Sequence, residues 1–130
     1  MIAIIDYKAG NIRSVENALK RLGAEYVLTA NPETIRRADH VILPGVGEAS
    51  SAMASLEETG LVPVIKSLTQ PVLGICVGVQ LMCSFSEEGG VECMGIFKSK
   101  VTRFPEASGV KIPHTGWDTI SGLRGPLFRN

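Results

Sequence analysis

The sequence predicts a doubly wound α/β fold with a mostly parallel sheet. Short, continuous apolar runs at Ile2–Ile5, His40–Leu43 and Val72–Ile75 have the length of strands buried on both faces. Between them lie longer segments whose apolar residues recur every three to four positions, as in helices packed on a sheet. Strands and helices alternating at this spacing form right-handed βαβ units, and such units require parallel pairing.

The elements follow in order. Ile2 to Ile5 is the first strand and ends at Asp6. Asn11 is placed to cap a helix that presents Ile12, Val15, Ala18, Leu19 and Leu22 on one face, with Gly23 as its stop. Glu25 to Thr29 reads as a second strand, and Asn31-Pro32 opens a short helix to Ala38. His40 to Leu43 is a third strand, broken by Pro44-Gly45. Glu48 to Thr59 is helical up to Gly60, Leu61 to Leu68 is a further helical piece with Pro63 in its first turn, and Val72 to Ile75 is a fourth buried strand. A helix should start at Val77. Beyond Gly95, Ile96 to Phe104 reads as a longer, partly exposed strand, and Pro105 to Asn130 holds only short apolar runs.

At 130 residues and 45% hydrophobic composition the chain has material for one domain, 1–130, with a real core. Its 13 basic and 13 acidic residues cancel, so no global field recruits nucleic acid or an anionic membrane. No run approaches a membrane span, and the start MIAIID places an aspartate where a signal peptide needs apolar residues. A soluble cytoplasmic protein is the expectation. Cys76, Cys83 and Cys93 are odd in number and form no CxxC pair, which argues against disulfides and against a metal site.

Two loops carry chemistry. In open parallel sheets ligands collect at the carboxyl ends of the strands. There stands Gly74-Ile75-Cys76-Val77-Gly78-Val79-Gln80, a cysteine directly after a strand and directly before a helix. Glycines two residues away on either side permit the tight turn that exposes a nucleophile. A helix N-terminus offers a thiolate the positive end of the helix dipole, and its free N–H groups can hold an oxyanion. The alternative is a small buried hydrophobe, the common fate of cysteine. The second loop, Pro44-Gly45-Val46-Gly47, ends the neighbouring strand. Its two glycines let a peptide flip and present an N–H toward Cys76, a donor of the kind worth roughly 3–4 kcal/mol of barrier; by itself PGVG is also an ordinary turn.

The remaining candidates weigh less. Cys83, seven residues after Cys76, reads as a core residue on the same helical face, and Cys93 sits in a loop without a companion. His40 falls at the amino end of the sheet, away from the site. Nothing local makes His114 a base or ligand. The Gly10-Asn11 turn lacks the GxGxxG pattern of a phosphate loop.

The segments IIDYKAGNIRSV, LPGVG, PVLGICVGVQLM, SEEGG and KIPHTGW together resemble the class I glutamine amidotransferase family, over the whole chain. GxCxGxQ is specific to the class. GNxxSV and PHxGW narrow the resemblance to the branch that supplies the glutaminase subunit of imidazole glycerol phosphate synthase. The resemblance implies a flavodoxin-like, doubly wound domain and a glutamyl thioester on Cys76. Val77 N–H and the Gly45-Val46-Gly47 segment would form the oxyanion hole, and Gln80 and Glu88 would contact glutamine. It further implies that Asn11, Pro113, His114, Gly116 and Trp117 face a (β/α)8-barrel cyclase subunit. That partner would consume ammonia with a phosphoribulosyl-formimino precursor, giving imidazole glycerol phosphate and an aminoimidazole carboxamide ribotide. No cofactor is implied.

Thr115 and Asp118 depart from the usual PHMGWN pattern and change the packing and charge of that edge. The HPE segment that completes the family's Cys-His-Glu triad is not found, so the expectation is a C-terminally incomplete domain deficient in glutaminase activity. Three rival functions remain open at this point. They are the same chemistry serving a synthase of anthranilate, carbamoyl phosphate or GMP; a catalytically silent interaction module; and a general α/β cysteine hydrolase or flavodoxin-like binder.

Overall fold

The computed structural model describes residues 1–8 and 11–128. Four parallel strands, β1 (Ile2–Ile5), β2 (Tyr26–Thr29), β3 (His40–Leu43) and β4 (Val72–Gly74), form a sheet in the order β2-β1-β3-β4. The register pairs Ile4 with both Leu28 and Ile42, and Leu43 with Gly74. Because all four strands are parallel, the loops after Ile5, Leu43 and Gly74 emerge on one edge. The order places β1 and β3 at the centre, as the doubly wound reading requires.

Alternation along β1 divides the core. Ala3 and Ile5, with Tyr7 beyond them, face helices α2 (Pro32–Arg37), α3 (Ala49–Glu58), α4 (Val62–Lys66) and α5 (Val77–Met82), in a cluster that includes Ile35, Leu56, Ile65 and Leu81. Ile4 and Ile42 face the opposite side, where they pack with Leu19 and Val15 of α1 (Ile12–Arg21).

Local signals in the sequence account for the helix ends. The Asn31 side chain accepts from Thr34 N–H at 3.0 Å and Pro32 opens α2. The end of α1 is closed by Gly23 N–H to Lys20 O at 3.1 Å and Ala24 N–H to Leu19 O at 3.0 Å, with Gly23 at φ 66°. Leu22, expected on the apolar face, instead caps the helix and stands 79% exposed.

Three expectations are corrected. Val72–Ile75 was expected to be buried, yet β4 lies at the sheet's edge, and Leu73 and Ile75 are exposed. The longer strand over Ile96–Phe104 shrinks to β7 (Lys100–Val101). It pairs parallel with β5 (Phe85–Ser86), whose other neighbour, β6 (Val91–Glu92), is antiparallel. Finally, α5 stops at Met82, so Cys83 is not on a helical face; it caps the helix, half-buried, with its thiol toward Val79 O. Among the described residues no helix is long and apolar enough to cross a membrane, and no group of His, Cys, Asp and Glu is arranged to hold a metal.

Candidate active site

Cys76 sits between β4 and α5 at φ 55° and ψ −116°, a backbone conformation that non-glycine residues avoid. The turn is held open by what surrounds it. Ile75 N–H bonds to Leu43 O at 3.0 Å, which extends the strand pairing to the residue before the cysteine. Gly78 N–H then reaches back to Ile75 O at 2.9 Å and Val79 N–H to Cys76 O at 3.0 Å, starting the helix at once. The thiol is left exposed. This is the strand-to-helix elbow that the glycine spacing predicts.

The glycines serve close approach as well as the turn. A Cβ on Gly78 would collide with Leu43 O, and one on Gly74 would lie 2.8 Å from Val79 N. Gly45 is pressed against the same helix start: a Cβ there would be 2.6 Å from Gly78 N and 2.9 Å from the Val77 Cβ. The PGVG segment and the cysteine elbow are therefore in backbone contact. Among the described residues the N–H groups of Gly45, Val46, Gly47 and Val77 have no hydrogen-bond acceptor. Val46 and Gly47 are exposed, whereas Gly45 and Val77 are buried.

Gln80 lies one turn beyond Cys76 on α5, its N–H directed to Cys76 O at 3.4 Å. Its side-chain oxygen accepts from the Ser86 hydroxyl at 3.4 Å, and the same hydroxyl accepts from Glu88 N–H at 3.2 Å. Ser86 is fully buried. Gln80 and Glu88, eight positions apart, thus meet through one hydroxyl, and both line an open cleft of about 570 Å³ with Glu87, Val101, Thr102 and Arg103. Glu87 closes the cleft's far wall by accepting from Arg103 N–H at 2.6 Å. Gly89, at φ 81°, brings this turn against Ser50 and Glu48 at the start of α3, just after the PGVG segment. Cys76 does not itself line the cleft.

Other candidates lie apart. His40 opens β3, at the amino end of the sheet. His114 packs edge-on against Phe104, with ring centroids 6.2 Å apart. Pro113, His114, Gly116 and Trp117 are all exposed on an extended segment, along with Thr115 and Asp118. Asn11 caps α1 by accepting from Ser14 N–H at 3.4 Å, and no hydrogen bond among the described residues ties it to that segment. Gly10, considered for a phosphate turn, lies outside the described residues. Cys93 is half-buried beside the core; burial pushes its thiol up, helped by Cys83 and Glu92.

Sequence reasoning missed two residues. Tyr7 is fully buried, and its hydroxyl donates to Pro44 O at 2.6 Å. Ser86, read only as part of SEEGG, is the hydroxyl between Gln80 and Glu88. A signal for the second existed in the polar residue opening an acidic turn; the first joins positions 37 apart and left none.

In Bacteroides fragilis strain YCH46, the protein named imidazole glycerol phosphate synthase subunit HisH is 57% identical over 129 residues, covering 98% of this chain and 66% of its own length. The protein of the same name in Bacteroides thetaiotaomicron is 55% identical over 128 residues, and that of Dehalococcoides mccartyi 48% over 133. The chain thus spans just under two thirds of these relatives' length, 66%, 65% and 64% in turn. A crystal structure titled as a glutamine amidotransferase superposes with a TM-score of 0.65 at 20% identity, over 77% of this chain and 55% of the other, and supports the fold. Residues 3–124 match the family described as glutamine amidotransferase class-I, and the chain belongs to that family.

Proposed function

We propose that this chain is the front part, residues 1–130, of the glutaminase subunit of imidazole glycerol phosphate synthase in histidine biosynthesis. It would hydrolyse glutamine to glutamate and pass the ammonia to a cyclase subunit. The observation that carries this reading is the strained, exposed Cys76 elbow, with Gly45 packed on the first turn of its helix. The names of the relatives at 57% and 55% identity supply the choice of synthase.

In this reading the Cys76 thiolate adds to the γ-carbonyl carbon of glutamine. The carbonyl electron pair moves onto oxygen, where Val77 N–H and the N–H groups of the Gly45-Val46-Gly47 segment receive it. Collapse re-forms the carbonyl and releases ammonia once the leaving nitrogen is protonated, and water then cleaves the thioester. Gln80 and Glu88, joined through Ser86, hold the amino acid, with the Glu88 carboxylate suited to an α-ammonium group. Asn11, Pro113, His114, Gly116 and Trp117 form the docking edge for a (β/α)8-barrel cyclase, and Trp117, 105% exposed, is the apolar anchor expected of such an edge. The protein works in the cytoplasm and needs no cofactor.

A second reading follows from the histidines. Among the described residues no hydrogen bond joins His40 or His114 to Cys76, so these 130 residues alone would form the thioester but turn over slowly. A silent interaction module is the limit of that trend. A glutamine-shaped diazo-ketone separates the readings: the glutaminase reading requires alkylation of Cys76 ahead of Cys83 and Cys93. In the assembled synthase, Cys76→Ser should abolish glutamine use while ammonia-dependent cyclisation persists. Glutamine hydrolysis retained by Cys76→Ser would sink the proposal.

A further inference from the structure

We infer that Tyr7 is a positioning residue for the oxyanion segment, its hydroxyl holding the Pro44 carbonyl and so fixing the peptide through which Gly45 enters the site. The inference rests on the oxyanion role proposed above for Gly45 to Gly47.

The geometry starts at β1. Tyr7 lies two residues past the strand, fully buried, on the face that packs α3 and α5. From there its hydroxyl donates to Pro44 O at 2.6 Å, a short bond in a site closed to water. A trans peptide is planar, with its C=O and N–H pointing in opposite directions. Holding the Pro44 oxygen therefore also sets where the Gly45 N–H points, away from Tyr7. The hydroxyl oxygen does a second job: a Cβ on Gly45 would stand 3.0 Å from it and 2.9 Å from the Val77 Cβ. Gly45 is thus clamped between Tyr7 and the start of α5, while Val46 and Gly47, the next two residues, are exposed. The segment is rigid where it meets the nucleophile's helix and open where substrate would arrive. No other described side chain donates to the Pro44 carbonyl.

A test must separate oxyanion support from ordinary packing. Two reagents do this on the chain as it stands. The γ-benzyl thioester of L-glutamate transfers its glutamyl group to Cys76: sulfur adds to the carbonyl carbon, an oxyanion forms, and collapse expels benzylthiolate. This leaving group needs no general acid. Iodoacetamide alkylates the same thiolate by displacing iodide at a tetrahedral carbon, with no oxyanion at any stage. Tyr7→Phe removes only the hydroxyl. Intact-mass kinetics should show acyl transfer to Cys76 slowed about 10-fold or more, because a misplaced donor forfeits part of the oxyanion's stabilisation, while alkylation stays within about two-fold. Equal loss in both reactions, or loss in neither, overturns the inference. Should Tyr7→Phe fail to fold, 3-fluorotyrosine at position 7 retains ring and donor and makes the donor stronger. It should then hold or raise the ratio of acyl transfer to alkylation, and a fall in that ratio overturns the inference. If the unmodified chain transfers glutamyl no faster than Cys76→Ala does, the glutaminase reading itself fails and the Tyr7 inference falls with it.

Discussion

Gly45 and Gly78 meet backbone to backbone, so that a Cβ on Gly45 would lie 2.6 Å from the Gly78 nitrogen. This contact joins the loop after β3 to the helix after β4, and the closeness explains why glycine stands at both places. Gly78 is the stricter of the two, because its Cβ would run into the Leu43 carbonyl, part of the sheet itself. Gly47 differs: it has open space around it and needs glycine only for its φ of 88°. Alanine substitutions should therefore rank in urea unfolding. Gly78→Ala should lose about 3 kcal/mol or more, Gly45→Ala about 2–3, and Gly47→Ala about 1–2. A Gly47→Ala loss larger than that of Gly78→Ala would contradict the contact.

Strain at Cys76 makes an unusual stability prediction. Its φ of 55° costs an L-residue about 1–2 kcal/mol, which the surrounding bonds to Leu43 and Ile75 sustain. Glycine relieves that strain. Cys76→Gly should unfold at higher urea than Cys76→Ala, by about 1 kcal/mol, even though glycine has the more flexible unfolded chain. Neither variant should show the fast diazo-ketone labelling assigned to Cys76. Equal midpoints would mean that the elbow is not strained in solution.

How far the sequence revealed this site can be judged from particular residues. The elbow was legible because a strand, a cysteine and paired glycines are local signals at fixed spacing. The contact between Gly45 and Gly78 was only implied, by two loops expected on one sheet edge. What stayed hidden was long-range: Tyr7 reaches Pro44 across 37 positions, and a tyrosine after a strand is no different in sequence from any core aromatic. The small β6-β5-β7 sheet was hidden for another reason, since strands of two residues carry no period to detect. Leu73 was misjudged because burial belongs to the neighbours of a strand, and β4 is an edge strand with β3 alone beside it.

Tyr7 should also make stability sensitive to alkali. Burial pushes its phenol up from 10.0 to about 12, since the phenolate would be formed away from water. The group's acid form is thus favoured by folding. Its contribution is complete below pH 10, where the unfolded chain is also protonated, and is lost as pH rises from about 10 toward 12. Between pH 9 and pH 11 the wild-type chain should lose about 1 kcal/mol more than Tyr7→Phe, read from urea unfolding of both proteins at the two pH values. Parallel pH profiles for the two proteins would show that the hydroxyl is not buried as described.

Ser86 offers a test of the proposed glutamine pocket. Its single hydroxyl serves Gln80 and Glu88 together. Ser86→Ala should cost about 1–2 kcal/mol of stability, since Glu88 N–H loses its acceptor. It should also weaken protection of Cys76 by glutamine against iodoacetamide. In a Gln80→Ala background the second effect should shrink, because the side chain through which Ser86 acts has gone. Full additivity of the two substitutions would argue that Ser86 supports the fold alone.

Trp117 and Asn11 allow the docking edge to be tested with folding held apart. Trp117 is 105% exposed and touches no core, so Trp117→Ala should change stability by less than about 0.5 kcal/mol. If the proposed docking edge is right, Trp117→Ala should nevertheless weaken cyclase binding by about 2 kcal/mol or more, roughly 30-fold. Asn11 makes the opposite kind of control. Its cap bond is long, 3.4 Å against 3.0 Å for Asn31, so Asn11→Ala should cost about 0.5 kcal/mol where Asn31→Ala costs about 1. A binding loss on Asn11→Ala larger than that small cost must come from the surface it presents to the partner. If instead Trp117→Ala leaves titration of the cyclase subunit unchanged, the KIPHTGW segment is not the docking edge, and the resemblance that assigned it fails at that point.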